Sequence, residues 1–217
     1  RAGVRKSLRV AGAAFCGLVL IGGASYILIV RKTQLSPGAP GDRPDITSKS
    51  VVSMFEGLKV VRLRGTPYEI GFQHGSLLAD DVRRMTESVL EYGHRRLGRW
   101  RWTRPIIDAG LDWTWRRLEP FVPERDREEL RGLSDGSGVP LRVIQRIHAI
   151  PELFSAGCSA WAAFGPATRA GEFIQTRNLD WHIGVGVQEF PVLFVVEEEG
   201  NIPYAHIGYA GFTGVDT

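Results

Sequence analysis

Cysteine is scarce in this chain: Cys16 and Cys158 are the two among 217 residues. Cys16 sits in an apolar run and Cys158 in the polar remainder, so they are not expected to pair, and a disulfide-stapled scaffold is excluded. A single unpaired cysteine in the folded part makes Cys158 a candidate functional thiol, against the plain alternative of a small buried apolar residue. Histidine is thin too, five residues in all, and none stands beside Cys158 in a Cys-His arrangement. Excess positive charge is missing from most of the chain. Six of the 27 basic residues and none of the 24 acidic ones lie up to Gln34, leaving 21 against 24 beyond it. The net +3 therefore belongs to the N-terminal segment and gives no case for a nucleic-acid surface.

What the N-terminal segment does contain is one long uncharged run, Val10 to Val30, with Arg1, Arg5, Lys6 and Arg9 before it and Arg31 and Lys32 after it. At helical rise it is long enough for a hydrocarbon core of ~30 Å. It reads as a transmembrane anchor, with a cleaved secretory signal as the alternative. The basic flank predicts a single-pass protein with a cytoplasmic N-terminus and a catalytic domain outside, periplasmic or extracellular. The expected division is a basic flank at 1–9, an anchor at 10–30, a linker at 31–52 rich in Pro37, Gly38, Pro40, Gly41 and Pro44, a mainly helical segment at 53–157, and a sheet domain from 158 to 217.

Within the helical segment, Phe55 to Leu63 predicts an opening strand. Thr66-Pro67-Tyr68-Glu69 carries the signature of a capping box with proline in the first turn. Apolar residues at helical spacing from Ile70 onward extend that helix to about Leu97. Gly71 and Gly75, four apart, predict close packing against a neighbour, and His74 is expected to be structural. Trp100, Trp102, Trp113 and Trp115 lie among mixed charges and are expected to enter a core. Further helices are predicted from Pro123 to Leu133 and from Leu141 to Ala149. Beyond them, Pro191 to Val196 and Pro203 to Ile207 predict a hairpin around Glu199-Gly200-Asn201, stacked on the strand that carries Cys158. His206 on its return strand is expected in the core or at the surface.

The most informative stretch is Ala156-Gly157-Cys158-Ser159-Ala160-Trp161, read with Gln175-Thr176-Arg177-Asn178-Leu179-Asp180-Trp181. Ser159 to Phe164 is strand-like, Gly165 to Gly171 is turn chemistry, and Glu172 to Thr176 resumes a strand. A hairpin pairs residues about its turn, which brings Cys158 to Arg177 and Asp180. A thiol, with a free pKa of about 8.5, needs a base. Cutting the Gly157–Cys158 bond would supply one, the new α-amino group of Cys158 itself. Gly157 suits such a cut because its backbone is unrestricted and its carbonyl unshielded. Arg177 would stabilise the thiolate or orient the substrate, and Asp180 would hold the amine and the guanidinium. Taken alone, Arg177 with Asp180 is equally an ordinary ion pair.

Gly157-Cys158-Ser159 followed by Thr176-Arg177-Asn178-Leu179-Asp180-Trp181 resembles the N-terminal-nucleophile hydrolases, in the branch of penicillin acyl-coenzyme A acyltransferase, bile-salt hydrolase and acid ceramidase. Gly65-Thr66-Pro67-Tyr68-Glu69-Ile70-Gly71-Phe72-Gln73-His74-Gly75 is similar to the acyltransferase-like, autoproteolytic group. The resemblance implies an α+β fold, an αββα sandwich incomplete here and preceded by the helical segment and the transmembrane helix. It implies a self-cleaving precursor whose small and large fragments stay associated, with Cys158 attacking an amide or thioester of a small-molecule acyl substrate. No cofactor, metal or nucleic acid is called for, and Trp181 and His182 are candidates to line the acyl pocket. The alternatives are a catalytically inactive membrane-anchored binding protein of the same fold, or a ceramidase-like hydrolase of N-acyl lipids. The sixty or so residues after Cys158 are few for two packed sheets with helices, so a fragment of a longer protein is expected, with oxyanion-hole donors further downstream.

Overall fold

The computed structural model describes residues 21–98, 100–153 and 157–214. Two strands, where the sequence predicts one, open the folded part: β1 (Val51–Phe55) and β2 (Leu58–Gly65) run antiparallel. The turn between them, Glu56-Gly57, has φ of 47° and 87°. Two positive φ values are the mark of a tight hairpin turn, and glutamate is not among the residues that usually signal its first position. β2 pairs in parallel with β5 (Pro191–Glu198), and β5 pairs antiparallel with β6 (Tyr204–Tyr209), giving the order β1-β2-β5-β6. Alternate residues of the two central strands, Val61 and Leu63 on β2 and Val192, Phe194 and Val196 on β5, form the buried face of this sheet.

Helices fill the interval between β2 and β5. The capping box forms as the sequence predicts: Thr66 accepts from the Glu69 backbone N–H, and Glu69 accepts from the Thr66 N–H at 2.9 Å, opening α3 (Pro67–Leu77), which follows α1 (residues 21–33) and the short α2 (Pro44–Thr47) along the chain. The expected single helix to Leu97 is broken at Leu78, whose φ of −118° and ψ of 27° leave the helical region. The second part is α4 (Ala79–Leu97), which buries Val82, Met85 and Val89 completely. α5 (Arg104–Leu118), α6 (Glu124–Ser137) and α7 (Leu141–Leu153) follow, α6 ending on Gly138 with a left-handed φ of 72°. α3 and α6 come so close that a Cβ on Gly71 or Gly75 would overlap the Glu129 or Leu133 carbonyl. Gly132 and Gly136 on α6 return the relationship against the Tyr68 and Phe72 carbonyls.

Several expectations are corrected. Among the described residues no helix is long and apolar enough to cross a membrane, so the transmembrane anchor at 10–30 and the single-pass localisation drawn from it are not upheld. Of the apolar run, the described part is α1 at residues 21–33. Its end is also bound to the protein, the Lys32 carbonyl accepting from Arg142 and the Thr33 carbonyl from Arg146, with Thr33 buried. The basic flank at 1–9 and the first half of the apolar run lie outside the described residues.

The αββα sandwich is likewise not what the chain forms. The architecture is mixed α/β, a four-stranded sheet packed with helices and a separate two-stranded hairpin, β3 (Gly157–Gly165) with β4 (Gly171–Asp180). β5 and β6 belong to the larger sheet with β1 and β2, and most of the hairpin is exposed on both faces, so among the described residues no second sheet stacks on it. Of the four tryptophans between residues 100 and 115, Trp115 enters the core, whereas Trp100, Trp102 and Trp113 are more than half exposed. On α5, Leu111 and Trp115 are one turn apart on the inner face, and Trp113 falls on the opposite side under the Arg117 guanidinium.

Candidate functional site

The β3–β4 hairpin sets the geometry. Its register pairs Gly157 with Asp180, Cys158 with Leu179, Ser159 with Asn178 and Ala160 with Arg177. Side chains alternate between faces with a period of two, so Cys158 and Arg177 are diagonal neighbours on one face. The Arg177 guanidinium reaches the Cys158 sulfur, Nη2 to Sγ 3.6 Å. Cys158 is a free, exposed thiol and Arg177 is half-buried. Asp180 lies on the other face, opposite Gly157, where its Oδ1 accepts from Asn178 Nδ2 at 2.6 Å. The hairpin thus brings together the thiol and the guanidinium, and sets the carboxylate beside the backbone of the Gly157–Cys158 bond rather than beside the sulfur. Ala156 lies outside the described residues.

Beyond the strand end, Trp181 is half-buried against the core and His182 is exposed. Trp181 packs edge-on against Phe212 with ring centroids 5.4 Å apart. His182 caps a short turn, its Nδ1 accepting from the Gly184 N–H at 3.0 Å, and its ring lies 5.6 Å from that of Tyr92. Both are therefore held by structural contacts, with Trp181 facing an aromatic cluster that sequence reasoning missed. His148 on α7 joins that cluster, 5.1 Å from Phe212. Its Nδ1 bonds the Ile144 carbonyl and its Nε2 accepts from the Thr213 N–H at 3.2 Å, which assigns the proton to Nδ1. The signal available in the sequence was its position on the helix that runs toward Cys158.

His74, expected to be structural, is fully buried against Phe194 and accepts from the Gly211 N–H at 2.9 Å. Burial, with His206 and His148 adding repulsion, pushes its pKa down to about 3, so it is neutral. His206 is half-buried on β6, its ring stacked on Phe194. Among the described residues no three His, Cys, Asp or Glu side chains are grouped to hold a metal ion.

No protein-family model matches the chain. It is similar to Protein dcd1B of Dictyostelium discoideum, 31% identical over 159 residues that make up 66% of this chain and 32% of that protein. Protein dcd1A of the same organism is 27% identical over 183 residues, 74% of this chain and 42% of that one. An uncharacterized protein of Archaeoglobus fulgidus is 31% identical over 90 residues, 40% of this chain and 15% of that protein. The chain spans about a third of dcd1B and about two fifths of dcd1A, and none of these names states an activity.

Proposed function

We propose that the protein is a self-processing cysteine amidohydrolase or acyltransferase whose nucleophile is Cys158, in line with the resemblance of its Gly157-Cys158-Ser159 and Arg177-Asn178-Leu179-Asp180 segments to N-terminal-nucleophile hydrolases. The observation that carries the reading is the Arg177 guanidinium 3.6 Å from an exposed sulfur on one face of the hairpin. The guanidinium is placed to orient the sulfur and the acyl group that it attacks. In processing, the sulfur attacks the Gly157 carbonyl, the S–C bond forms as the C–N bond breaks, and the thiol proton ends on the released Cys158 amine. Water then cleaves the thioester, leaving a Gly157 carboxylate and an α-amino group beside the thiol. In turnover that amine takes the thiol proton and the sulfur attacks an amide or thioester carbonyl. The leaving amine or thiol departs protonated, and water or an acceptor amine resolves the acyl-enzyme. Asp180, opposite Gly157, is suited to hold the new ammonium group.

Intact-mass analysis of the purified full-length protein tests this. Two fragments meeting between Gly157 and Cys158 are expected, and Cys158→Ala yields one unbroken chain. A wild type that hydrolyses N-acyl substrates while unbroken overturns the processing step.

A further inference from the structure

We infer that the outer face of α5 is a docking surface for an anionic lipid bilayer, with the helix lying along the headgroup layer and crossing nothing. Helical spacing sets the face. Trp102, Ile106, Gly110, Trp113, Arg117 and Phe121 recur at steps of three or four residues, and the chain stays helical from the turn Arg101–Thr103 through α5 to the turn Glu119–Phe121. They form one stripe about 28 Å long at helical rise. Trp102, Ile106, Trp113 and Phe121 are between 47% and 84% exposed, and a Cβ on Gly110 would meet nothing within 4 Å. Among the described residues no element covers the stripe.

The charge pattern identifies the occupant. Between residues 95 and 118 the acidic residues are Asp108 and Asp112, and both turn inward: Asp112 meets Arg146 at 2.7 Å, and Asp108 meets His94 at 2.7 Å and Arg146 at 3.3 Å. Arg116 and Arg117 stay outside, exposed and with no carboxylate within 4.0 Å among the described residues. Arg116 Nε donates to the Asp112 carbonyl at 3.1 Å, and the Arg117 guanidinium lies 4.9 Å from the Trp113 ring centre. Both contacts position a guanidinium and neither neutralises it. Tryptophan and aliphatic side chains edged by uncompensated arginine suit the membrane–water interface, where indoles sit at headgroup level and basic groups reach anionic lipid. A nucleic acid fits less well: bases stack on open ring faces, one face of Trp113 is already under Arg117, and Ile106 gives nothing to stack on. A second copy of the chain brings the same face, which has no carboxylate to pair the arginines.

The test uses the full chain with Cys16→Ser and Cys158→Ala and an environment-sensitive fluorophore on Gly110→Cys, so failure of the Cys158 reading leaves it untouched. Vesicles of phosphatidylcholine with phosphatidylserine should shift the label's emission to the blue, and nitroxide-bearing lipid should quench it. In sedimentation with the same vesicles, Trp102→Ser combined with Trp113→Ser is expected to weaken binding at least about tenfold, and Arg116→Gln combined with Arg117→Gln about tenfold. All four side chains are exposed, so these replacements leave the fold intact. A label unmoved by vesicles, unchanged affinity in either double variant, or equal binding to phosphatidylcholine alone overturns the proposal. So does a label that responds to single-stranded DNA or to self-association in place of lipid.

Discussion

At the scale of the residue, the contact between Arg177 and Cys158 is decisive and modest in energy. A charged contact near the surface is worth roughly 0.2–1 kcal/mol, which translates to at most about a fivefold change in a rate. Arg177→Met is therefore expected to slow iodoacetamide alkylation of Cys158 at neutral pH by up to about fivefold, measured by mass spectrometry, with Arg177→Lys largely restoring it. The sequence made this pair legible because Gly165 and Gly171 mark the turn about which the strands fold. It did not make Asp180's face legible. That depends on register, and a shift of one residue moves every side chain to the other side of the ribbon. His148 stayed hidden for another reason: its link to Trp181 runs through Phe212, more than sixty residues along the chain.

At the scale of the element, the α3–α6 pair depends on absent side chains. A methyl at Gly71 meets the Glu129 carbonyl, a backbone atom that cannot swing aside, whereas a methyl at Gly110 on α5 meets nothing within 4 Å. Alanine gains roughly 1 kcal/mol over glycine in a helix interior, and overpacking costs typically 1–3 kcal/mol or more. Urea denaturation should give opposite signs, with Gly71→Ala destabilised and Gly110→Ala stabilised by about 0.5–1 kcal/mol. Gly71 and Gly75 were readable as a packing stripe from their spacing alone, and Thr66 and Glu69 as a cap, because both signals are local. The break at Leu78 and the pairing of β2 with β5 were not readable: nothing in either segment says that they lie side by side across more than a hundred residues.

At the scale of the whole molecule, two buried titrations oppose each other. Burial lowers His74 from 6.5 to about 3, so its contribution to stability is complete above pH 6.5 and is lost as the pH falls toward 3. Burial, reinforced by Asp126 and Glu198 and opposed by Arg125, raises Glu129 from 4.5 to about 7, so its contribution is complete below pH 4.5 and is lost as the pH rises through 7. Between pH 4.5 and 6.5 the two slopes cancel, each being about 1.4 kcal/mol per pH unit. Removing either group exposes the other: across that interval stability should fall with pH in His74→Gln and rise with pH in Glu129→Gln, relative to wild type, as read by chemical denaturation at several pH values. The grip of Arg142 and Arg146 on the Lys32 and Thr33 carbonyls has a mechanical meaning. Arg142 and Arg146 both lie on α7, so the end of α1 is tied to the last described helix before the Gly157–Cys158 bond and load on one is shared by the other.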